Sequence, residues 1–310
     1  GSLSGNRISA LRYARIFRAL GARARVIKAW DGRDADLLIV LHAERGARSV
    51  LRARSRLPEL PIVVVLTGTD VYRRRGFSRS MQRALEAADA IVGLQSDSVA
   101  SLPRGLRRKA RTILQSYDGP RPARKVARSR FEVLVLGHLR PEKDPFRAAM
   151  AARRLPRESR IRVLHAGKAL SAAMARRAER ESASNPRYQW LGELTRAKAL
   201  AKLASARALV HSSRSEGGPS VFSEALALGV PILSSRIGAS ESILGASHPG
   251  LFRYGSTAEL GELLRRIELE PRFLARIAAR SRRLAPRVAP ERELRAWRKL
   301  FAELGLPARG

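Results

Sequence analysis

Two glutamates, Glu216 and Glu224, stand eight residues apart in the segment EGGPSVFSE, on either side of a glycine-rich turn. If a helix begins at this turn, the backbone N–H groups of Gly217, Gly218 and Ser220 point outward from its start. Such a helix start attracts phosphate, because the unpaired N–H groups and the helix dipole both present positive charge there. The two carboxylates could accept hydrogen bonds from sugar hydroxyls. The segment is therefore a candidate site for sugars joined to a diphosphate.

Apolar segments on both sides of the turn indicate how it is positioned. Candidate strands span 208–211 and 230–234, and the Ala/Leu-rich segment between them predicts a helix. Pro219 suits the first turn of that helix, and Gly229 suits its C-terminal end. A glycine-rich turn alone is common, whereas this glutamate spacing within a strand–turn–helix–strand order is fairly specific.

A second group of charged residues follows the candidate strand 131–136, in the sequence GHLRPEKD. Arg140 and Lys143 could both contact a diphosphate and neutralise the charge that develops on a leaving group. Taken alone, two cations in a basic protein are more often surface residues. Together with the turn at Glu216 they favour a binding site.

Short apolar runs alternate with longer helical stretches along the chain, which is typical of α/β folds with parallel sheets. The pattern restarts after a polar segment, which predicts domains at 1–120 and 131–289, a linker at 121–130 and a returning helix at 290–310. Ligands of such folds bind beyond the carboxyl ends of the strands, so we expect a site in the cleft between the domains. The predicted strands are 26–29, 37–41, 62–66, 90–94, 111–115, 131–136, 161–165, 188–191, 208–211, 230–234 and 251–254.

The first predicted element is a helix over 6–20, although a Rossmann-like domain normally opens with a strand. This predicts about ten further residues upstream, enough for a strand and a loop. At the other end, an apolar stripe predicts a helix over 290–304 that packs at the domain junction. The stripe consists of Leu294, Trp297, Phe301 and Leu304.

The composition is strongly basic, with 61 Lys and Arg residues against 27 Asp and Glu and a formal net charge of +34. These residues are spread along the chain without the interleaved aromatics that single-strand binders use, so specific nucleic-acid binding is not favoured. The chain has no cysteine, which excludes disulfides, cysteine nucleophiles and Cys-ligated zinc. No apolar run is long enough to span a bilayer.

The second half resembles the GT-B glycosyltransferases of the large retaining family that carries the E-x7-E motif. The resemblance rests on GHLRPEKD, WLGEL and HSSRSEGGPSVFSEALALGVPILSS. The whole chain looks closer still to one branch, the selenosugar synthases of selenoneine biosynthesis, through VLHAERG, VLTGTDVY, GHLRPEKDPFRAA and NPRYQWLGEL. The implied fold is two Rossmann-like domains that face each other across a cleft, with the C-terminal helix at their junction.

The resemblance also implies a reaction. A UDP-sugar, either UDP-N-acetylglucosamine or UDP-glucose, would be attacked at its anomeric carbon by the selenium of selenophosphate. UDP would leave, hydrolysis would remove phosphate, and a 1-selenosugar would remain. No metal and no further cofactor are expected.

By the same resemblance Glu224 would hold the ribose, Glu216 the sugar hydroxyls, and Arg140 and Lys143 the diphosphate. Arg140, Lys143 and Glu216 would thus be the catalytic residues. The wider UDP-sugar site would comprise Gly5, Asn6, Gly137, His138, Gly167, Leu191, Gly192, Gly217, Gly218, Pro219, Ser220 and Glu224.

The anionic acceptor needs cations and N–H donors rather than a strong base, because selenophosphate is already deprotonated. Polar residues that follow predicted strands of the first domain, together with Arg7, are assigned to it as a hypothesis. Asp70 is awkward in an anion site, and its role stays open between orienting an arginine and binding sugar. The assigned residues are Arg7, His42, Arg45, Thr67, Gly68, Thr69 and Asp70.

Other signals carry less weight. Asp34 and Asp36 form a D-x-D pattern, but they precede a predicted strand and are interpreted as its start rather than as metal ligands. Two alternatives remain: a glycosyltransferase with a hydroxyl acceptor, and a basic nucleic-acid-binding protein. The favoured reading is a cytoplasmic enzyme, monomeric or homodimeric, whose partners are small-molecule substrates.

Overall fold

The computed structural model describes residues 5–68, 70–72, 76–124, 126 and 130–306. Its contacts divide the chain into two compact units. The first unit contains residues 1–115, 216–218 and 290–310, and the second contains 116–215 and 219–289.

Helices and strands alternate along most of the described chain. The strands are β1 (Leu38–Leu41), β2 (Ile62–Leu66), β3 (Ala90–Gly93), β4 (Ala110–Thr112), β5 (Phe131–Leu136), β6 (Ile161–Ala166), β7 (Tyr188–Trp190), β8 (Ala208–His211), β9 (Ile232–Arg236) and β10 (Leu251–Arg253). The helices are α1 (Gly5–Ala19), α2 (Ala43–Arg56), α3 (Arg79–Ala87), α4 (Ser96–Ala100), α5 (Arg104–Arg107), α6 (Arg147–Arg153), α7 (Ala172–Ser184), α8 (Arg196–Ser205), α9 (Ser220–Ala227), α10 (Gly238–Leu244), α11 (Thr257–Leu269), α12 (Pro271–Leu284) and α13 (Pro290–Glu303).

The first unit is built on a parallel sheet with the order β1-β2-β3-β4. Every residue of β2 is buried, because helices cover both faces of a parallel sheet and leave no polar side to its central strands. The predicted strand at 26–29 is wrong: this segment is irregular, and Val26 and Ile27 are exposed. Its β-branched residues favour a strand locally, but a strand forms only where a ladder partner accepts its hydrogen bonds. The expected upstream residues stay a prediction.

The C-terminal helix α13 packs against α1 within this unit. Trp297 is fully buried and meets the rings of Tyr13 and Phe17 edge-on, at centroid distances of 5.3 and 5.0 Å. Beside the aromatic rings, Arg12 donates to both carboxylate oxygens of the buried Glu293. The predicted apolar stripe on this helix is confirmed, since all four of its residues belong to or pack against one core cluster.

The second unit holds a parallel sheet with the order β10-β9-β8-β5-β6-β7. The chain enters at β5, adds β6 and β7 on one side, and then crosses to add β8, β9 and β10 on the other. The strand order therefore reverses between β5 and β8. In open α/β sheets ligands bind at the carboxyl ends of the two strands that flank such a reversal.

Most predicted strands are confirmed with ends that move by one or two residues. The segments 62–66, 131–136 and 208–211 match the observed strands at both ends. The one predicted at 230–234 begins later, because Val230 is still occupied in closing α9, where its N–H donates to the carbonyl of Ala225. Within the described part of the chain, no helix is both long and apolar enough to cross a membrane.

Candidate functional site

The loops after β5 and β8 form the centre of the candidate site. The two loops start side by side because β5 and β8 are neighbouring parallel strands, in which Val133 pairs with Ala208 and Leu134 with Leu209. The first loop carries GHLRPEKD and the second begins at Ser212. Both emerge at the carboxyl edge of the sheet, where the strand order reverses.

Hydrogen bonds join these two loops to each other. The hydroxyl of Ser212 donates to the carbonyls of Lys143 and Asp144, at 3.2 and 2.9 Å. The N–H of Arg214 donates to the carbonyl of Glu142 at 2.8 Å. The cation-bearing loop is thus held in place by the loop that leads into the glycine-rich turn.

Arg140 and Lys143 lie at the two ends of a tight turn. Residues Pro141–Lys143 form a single 3₁₀ turn, which ends at Asp144 in the left-handed region with φ 43°. Both side chains are half-buried, and within the described residues the Nε of Arg140 has no hydrogen-bond partner. Because a buried donor without a partner is costly, Arg140 is suited to an anionic ligand.

Three glycines, Gly137, Gly167 and Gly192, bring main chain together beside this turn. The N–H of Gly167 donates to the carbonyl of Gly192 at 2.8 Å. A Cβ atom on Gly167 would collide with the carbonyl of Gly137, so only glycine fits there. Leu191 and Gly192 directly follow β7, and Leu191 donates to the carbonyl of His165.

His165 lies beneath these glycines and was not singled out from the sequence. Its Nε2 lies 3.1 Å from the carbonyl oxygen of Gly137, and its Nδ1 lies 3.0 Å from the hydroxyl of Tyr188. Burial lowers the pKa of His165 to about 4, so the ring is neutral near pH 7. Through its contact with the carbonyl of Gly137 it supports the loop after β5.

His138 is exposed at the same edge. Its Nδ1 accepts a hydrogen bond from the N–H of Lys168 at 3.2 Å. Partial burial lowers the pKa of His138, the carboxylate of Glu193 opposes this, and the cations Arg140, Lys143 and Lys168 add to the lowering. Three cations and one acid therefore lie near this histidine.

Helix α9 begins directly after the glycine-rich turn. Pro219, predicted to suit the first turn, is the N-cap of this helix, and Ser220 is its exposed first residue. Gly229 ends the helix as predicted: its N–H donates to the carbonyl of Leu226 and its φ is +63°. The short turn thus places N–H groups at a helix start.

Glu224 lies inside α9 and is 6% exposed. Arg196, at the start of α8, reaches its carboxylate at 3.1 Å. Burial raises the pKa of Glu224, and the charge and hydrogen bond of Arg196 lower it in part. Sequence reasoning missed Arg196, because an exposed arginine 28 residues from its partner gives no local signal.

Residues Glu216–Gly218 are counted with the first unit. Within that unit the backbones of Gly68 and Gly217 touch so closely that a Cβ on either would overlap the main chain of the other segment. A Cβ on Gly218 would instead meet the side chain of Leu94. Glu216 is half-buried.

Four of the residues that the sequence assigns to the acceptor follow β1 and β2 directly: His42, Thr67, Gly68 and Asp70. Asp70 is completely buried, and its carboxylate accepts hydrogen bonds from the N–H groups of Ala43, Thr67 and Gly68 at 2.9, 3.0 and 2.7 Å. Within the described residues Asp70 thus holds the main chain at the start of α2 and in the loop after β2. A further role in binding sugar or in orienting an arginine stays a prediction. Thr69 lies outside the described residues.

His42 stands next to Asp70 as the N-cap of α2. Its φ of 74° is left-handed, and its Nδ1 accepts the N–H of Arg45 at 3.3 Å. The proton of the neutral ring is therefore on Nε2. Burial lowers the pKa of His42, although Asp70, 3.9 Å away, opposes this.

The predicted cations of this unit are exposed. Arg45 lies in the first turn of α2, and Arg7 lies with Gly5 and Asn6 in the first turn of α1. Among the described residues no ion pair engages the side chain of Arg7 or Arg45. Both cations can therefore contact an anion from solvent.

A hydrogen-bond network beside Asp70 was not predicted. Tyr72 donates to the carboxylate of Asp97 at 2.9 Å and accepts a hydrogen bond from the amide of Gln95. Gln95 is completely buried, and its side chain also accepts from the N–H of Asp97 at 2.6 Å. The buried polar groups named at this edge of the first sheet are thus an acid, an amide and an imidazole, whereas Arg7 and Arg45 are exposed.

The second sheet brings Gly137, His138, Arg140, Lys143, Gly167, Leu191 and Gly192 to one edge. No group of three or more histidine or acidic side chains in the described ranges could hold a metal ion. Asp34 and Asp36 directly precede β1, as expected for the start of a strand.

Solved structures with this architecture include several glycosyltransferases. The chain is 18% identical to Alr3699/HepE of Anabaena, which was solved with UDP and glucose. The match covers 98% of this chain and 83% of that protein, with a TM-score of 0.70. It is 15% identical to sucrose-phosphate synthase of Thermosynechococcus elongatus, with coverages of 98% and 80% and a TM-score of 0.71. It is 13% identical to TarM, with coverages of 86% and 54% and a TM-score of 0.68.

At these identities the likeness shows the fold, which is GT-B with two Rossmann-like units. No curated protein matches the sequence of this chain. A family model for glycosyl transferases group 1 matches residues 121–284, more than half of the chain and nearly all of the second unit. The chain therefore belongs to the glycosyl transferases group 1.

Proposed function

We propose that this glycosyltransferase uses a UDP-sugar as donor and binds it at the carboxyl edge of the second sheet. The observation that carries the proposal is the convergence of Arg140, with its unpartnered Nε, and Lys143 on the loop where the strand order reverses. Related folds solved with UDP and with UDP-glucose support the choice of donor.

The roles of the residues follow from their positions. Arg140 and Lys143 neutralise the charge that grows on the β-phosphate as the glycosidic bond breaks. The N–H groups at the start of α9 contribute further hydrogen bonds, and Glu224 accepts those of the ribose hydroxyls. Glu216 contacts the transferred sugar. Since these cations supply the electrostatic stabilisation, the reaction is expected to proceed without a metal.

For the acceptor, the proposal is selenophosphate. Its selenium attacks the anomeric carbon, the bond from that carbon to the UDP oxygen breaks, and UDP leaves. Water then cleaves the P–Se bond, so that phosphate and a 1-selenosugar remain. Support comes from the sequence resemblance to selenosugar synthases and from the exposed cations Arg7 and Arg45.

One observation favours a hydroxyl acceptor instead. The N–H groups of Ala43, Thr67 and Gly68, which could have bound an anion, already donate to Asp70. Buried acids at this edge suit hydroxyl groups better than a dianion. A glycosyltransferase with a hydroxyl acceptor is therefore the second candidate.

The test is incubation with UDP-N-acetylglucosamine or UDP-glucose and selenophosphate, with EDTA present, followed by mass spectrometry. A selenium isotope pattern on a hexose or hexosamine supports the proposal, and thiophosphate in parallel reports selectivity for selenium. Release of UDP only when hydroxyl-bearing sugars are added would favour the second candidate. A protein that binds neither UDP nor UDP-sugars would overturn the donor assignment.

A further inference from the structure

Arg196 and Glu224 form an unequal ion pair. The side chain of Glu224 is 8% exposed, whereas that of Arg196 is 61% exposed. One guanidinium nitrogen lies 3.1 Å from one carboxylate oxygen. Water around the exposed guanidinium screens the attraction between the two groups. Because Glu224 lies on α9, the helix that follows the glycine-rich turn, the pair has a use in ligand binding.

In the part of the chain that the structure describes, the other cations near α9 are directed elsewhere. Arg282 of α12 lies against Gly229 at the far end of α9, and Arg287, in the 3₁₀ turn that follows α12, donates to the carbonyl of Ile243. Of the described charged groups, Arg196 is the one whose charge lowers the pKa of Glu224.

Two further groups lie beside α9. The ring of His211 packs edge-on against Phe222 of α9 and is engaged by the hydroxyls of Ser213 and Ser234. Tyr117 lies near enough for the charge of Glu224 to add to the effect of burial in raising the pKa of Tyr117.

The ionisation state of Glu224 determines which hydrogen bonds it can make to the ribose of a ligand. A charged carboxylate can accept hydrogen bonds from both hydroxyls of a ribose, whereas a protonated carboxyl must donate with one oxygen. Burial raises the pKa of Glu224 and so favours the protonated form as the pH falls. Arg196 acts in the opposite direction.

We propose that Arg196 is a positioning residue that keeps Glu224 charged and aimed for a ribose diol, so that nucleoside diphosphate binding persists into mildly acidic solution. The inference rests on the proposed function, in which Glu224 contacts the ribose. Arg196 itself need not touch the ligand. Its high exposure means that replacing it leaves the core of the second unit intact.

The experiment is calorimetric titration of UDP into wild type and Arg196→Met from pH 5 to pH 8. Near pH 8 the two affinities should be similar. As the pH falls, Arg196→Met should lose affinity at a higher pH than wild type, by about tenfold for each pH unit below the pKa of the carboxyl. UDP titrates in the same range, so the difference between the two proteins is the quantity compared.

Two further variants and one further ligand serve as controls. Arg196→Lys keeps the positive charge and should retain most of the wild-type profile. Lys198→Met removes another exposed cation of α8 and should leave the profile unchanged. With 2′,3′-dideoxy-UDP, which lacks the diol, the profiles of wild type and Arg196→Met should coincide.

Superimposable UDP profiles for wild type and Arg196→Met would overturn the inference while leaving the donor assignment intact. An equal shift in Lys198→Met would also overturn it, because the effect would then reflect overall charge. If wild type fails to bind UDP at any pH, the proposed function fails and the inference fails with it.

Discussion

The carboxylate of Asp70 lies 2.7 Å from the backbone nitrogen of Gly68 and accepts its hydrogen. Two further N–H groups, those of Ala43 and Thr67, converge on the same buried side chain. The loops after β1 and β2 are therefore tied together by one carboxylate. This contact fixes the geometry of the carboxyl edge of the first sheet.

Replacing Asp70 with asparagine should destabilise the first unit. The amide keeps the shape but turns one accepting oxygen into a donor, which faces N–H groups and leaves them unsatisfied. We expect a loss of about 1–3 kcal/mol in the free energy of unfolding, measured with urea. Asp36→Asn, at an exposed position, should change it by less than about 0.5 kcal/mol. Equal stability of Asp70→Asn and wild type would contradict the role given to this carboxylate.

Replacing Gly167 with alanine should disturb the loop after β5. The added Cβ would overlap the carbonyl of Gly137, so the loop must shift, at a cost of roughly 1–3 kcal/mol in unfolding free energy. UDP binding should weaken as well. Gly261→Ala is the control, because its helix has room for a Cβ and gains up to about 1 kcal/mol from alanine. Unchanged UDP affinity in Gly167→Ala would argue against a site beside this loop.

Breaking the pair of Arg12 and Glu293 should loosen α13 from α1. Glu293 is 3% exposed, and its replacement by glutamine leaves a half-buried guanidinium without its counter-charge. We expect a loss of about 3 kcal/mol or somewhat more in unfolding free energy. The exposed pair of Arg111 and Glu303 provides the comparison, since Glu303→Gln should cost less than about 1 kcal/mol. Similar losses in both variants would show that burial of the first pair has no special effect.

The neutral state of His165 makes stability depend on pH. Its pKa is about 4 in the folded chain against 6.5 for an ordinary histidine, so only the unfolded chain binds the proton between these values. The free energy of unfolding should therefore fall as the pH drops from 6.5 toward 4. Between pH 7 and pH 5 this residue should account for about 2 kcal/mol. His165→Gln should show a shallower decline over that range, and a slope identical to that of wild type would refute the effect.

Arg140 should matter for UDP binding more than other cations of this basic chain. Arg140→Met should weaken UDP binding roughly 10- to 100-fold, the usual loss for a hydrogen bond to a charged group. Arg176→Met removes an exposed arginine of α7 and controls for the general electrostatic field. Calorimetric titration of UDP at two salt concentrations separates the loss of a direct contact from the loss of overall positive charge, because salt screens the second more strongly. A similar weakening in the two variants would place the diphosphate away from the loop after β5.

Local sequence was sufficient for features that depend on neighbouring residues. The apolar run 62–66 and the largely apolar run 131–136 predict buried strands in an alternating pattern, and both are strands with those ends. The end of α9 at Gly229 also follows from local chemistry, because glycine adopts the left-handed conformation of a helix stop without strain. The glycosyltransferase family was likewise recognisable from short motifs.

Only the tertiary structure decided which polar groups already have hydrogen-bond or ion-pair partners within the protein. Val26–Ala29 has the composition of a strand, yet no neighbouring strand accepts its hydrogen bonds. The sequence left the role of Asp70 open, and only the fold shows that the N–H groups of Ala43, Thr67 and Gly68 all donate to its carboxylate. Arg196 looked like one of many surface arginines, although it compensates a buried carboxylate. Hydrogen bonds and charges act across short distances in space, and folding brings together residues whose separation along the chain hides that they are partners.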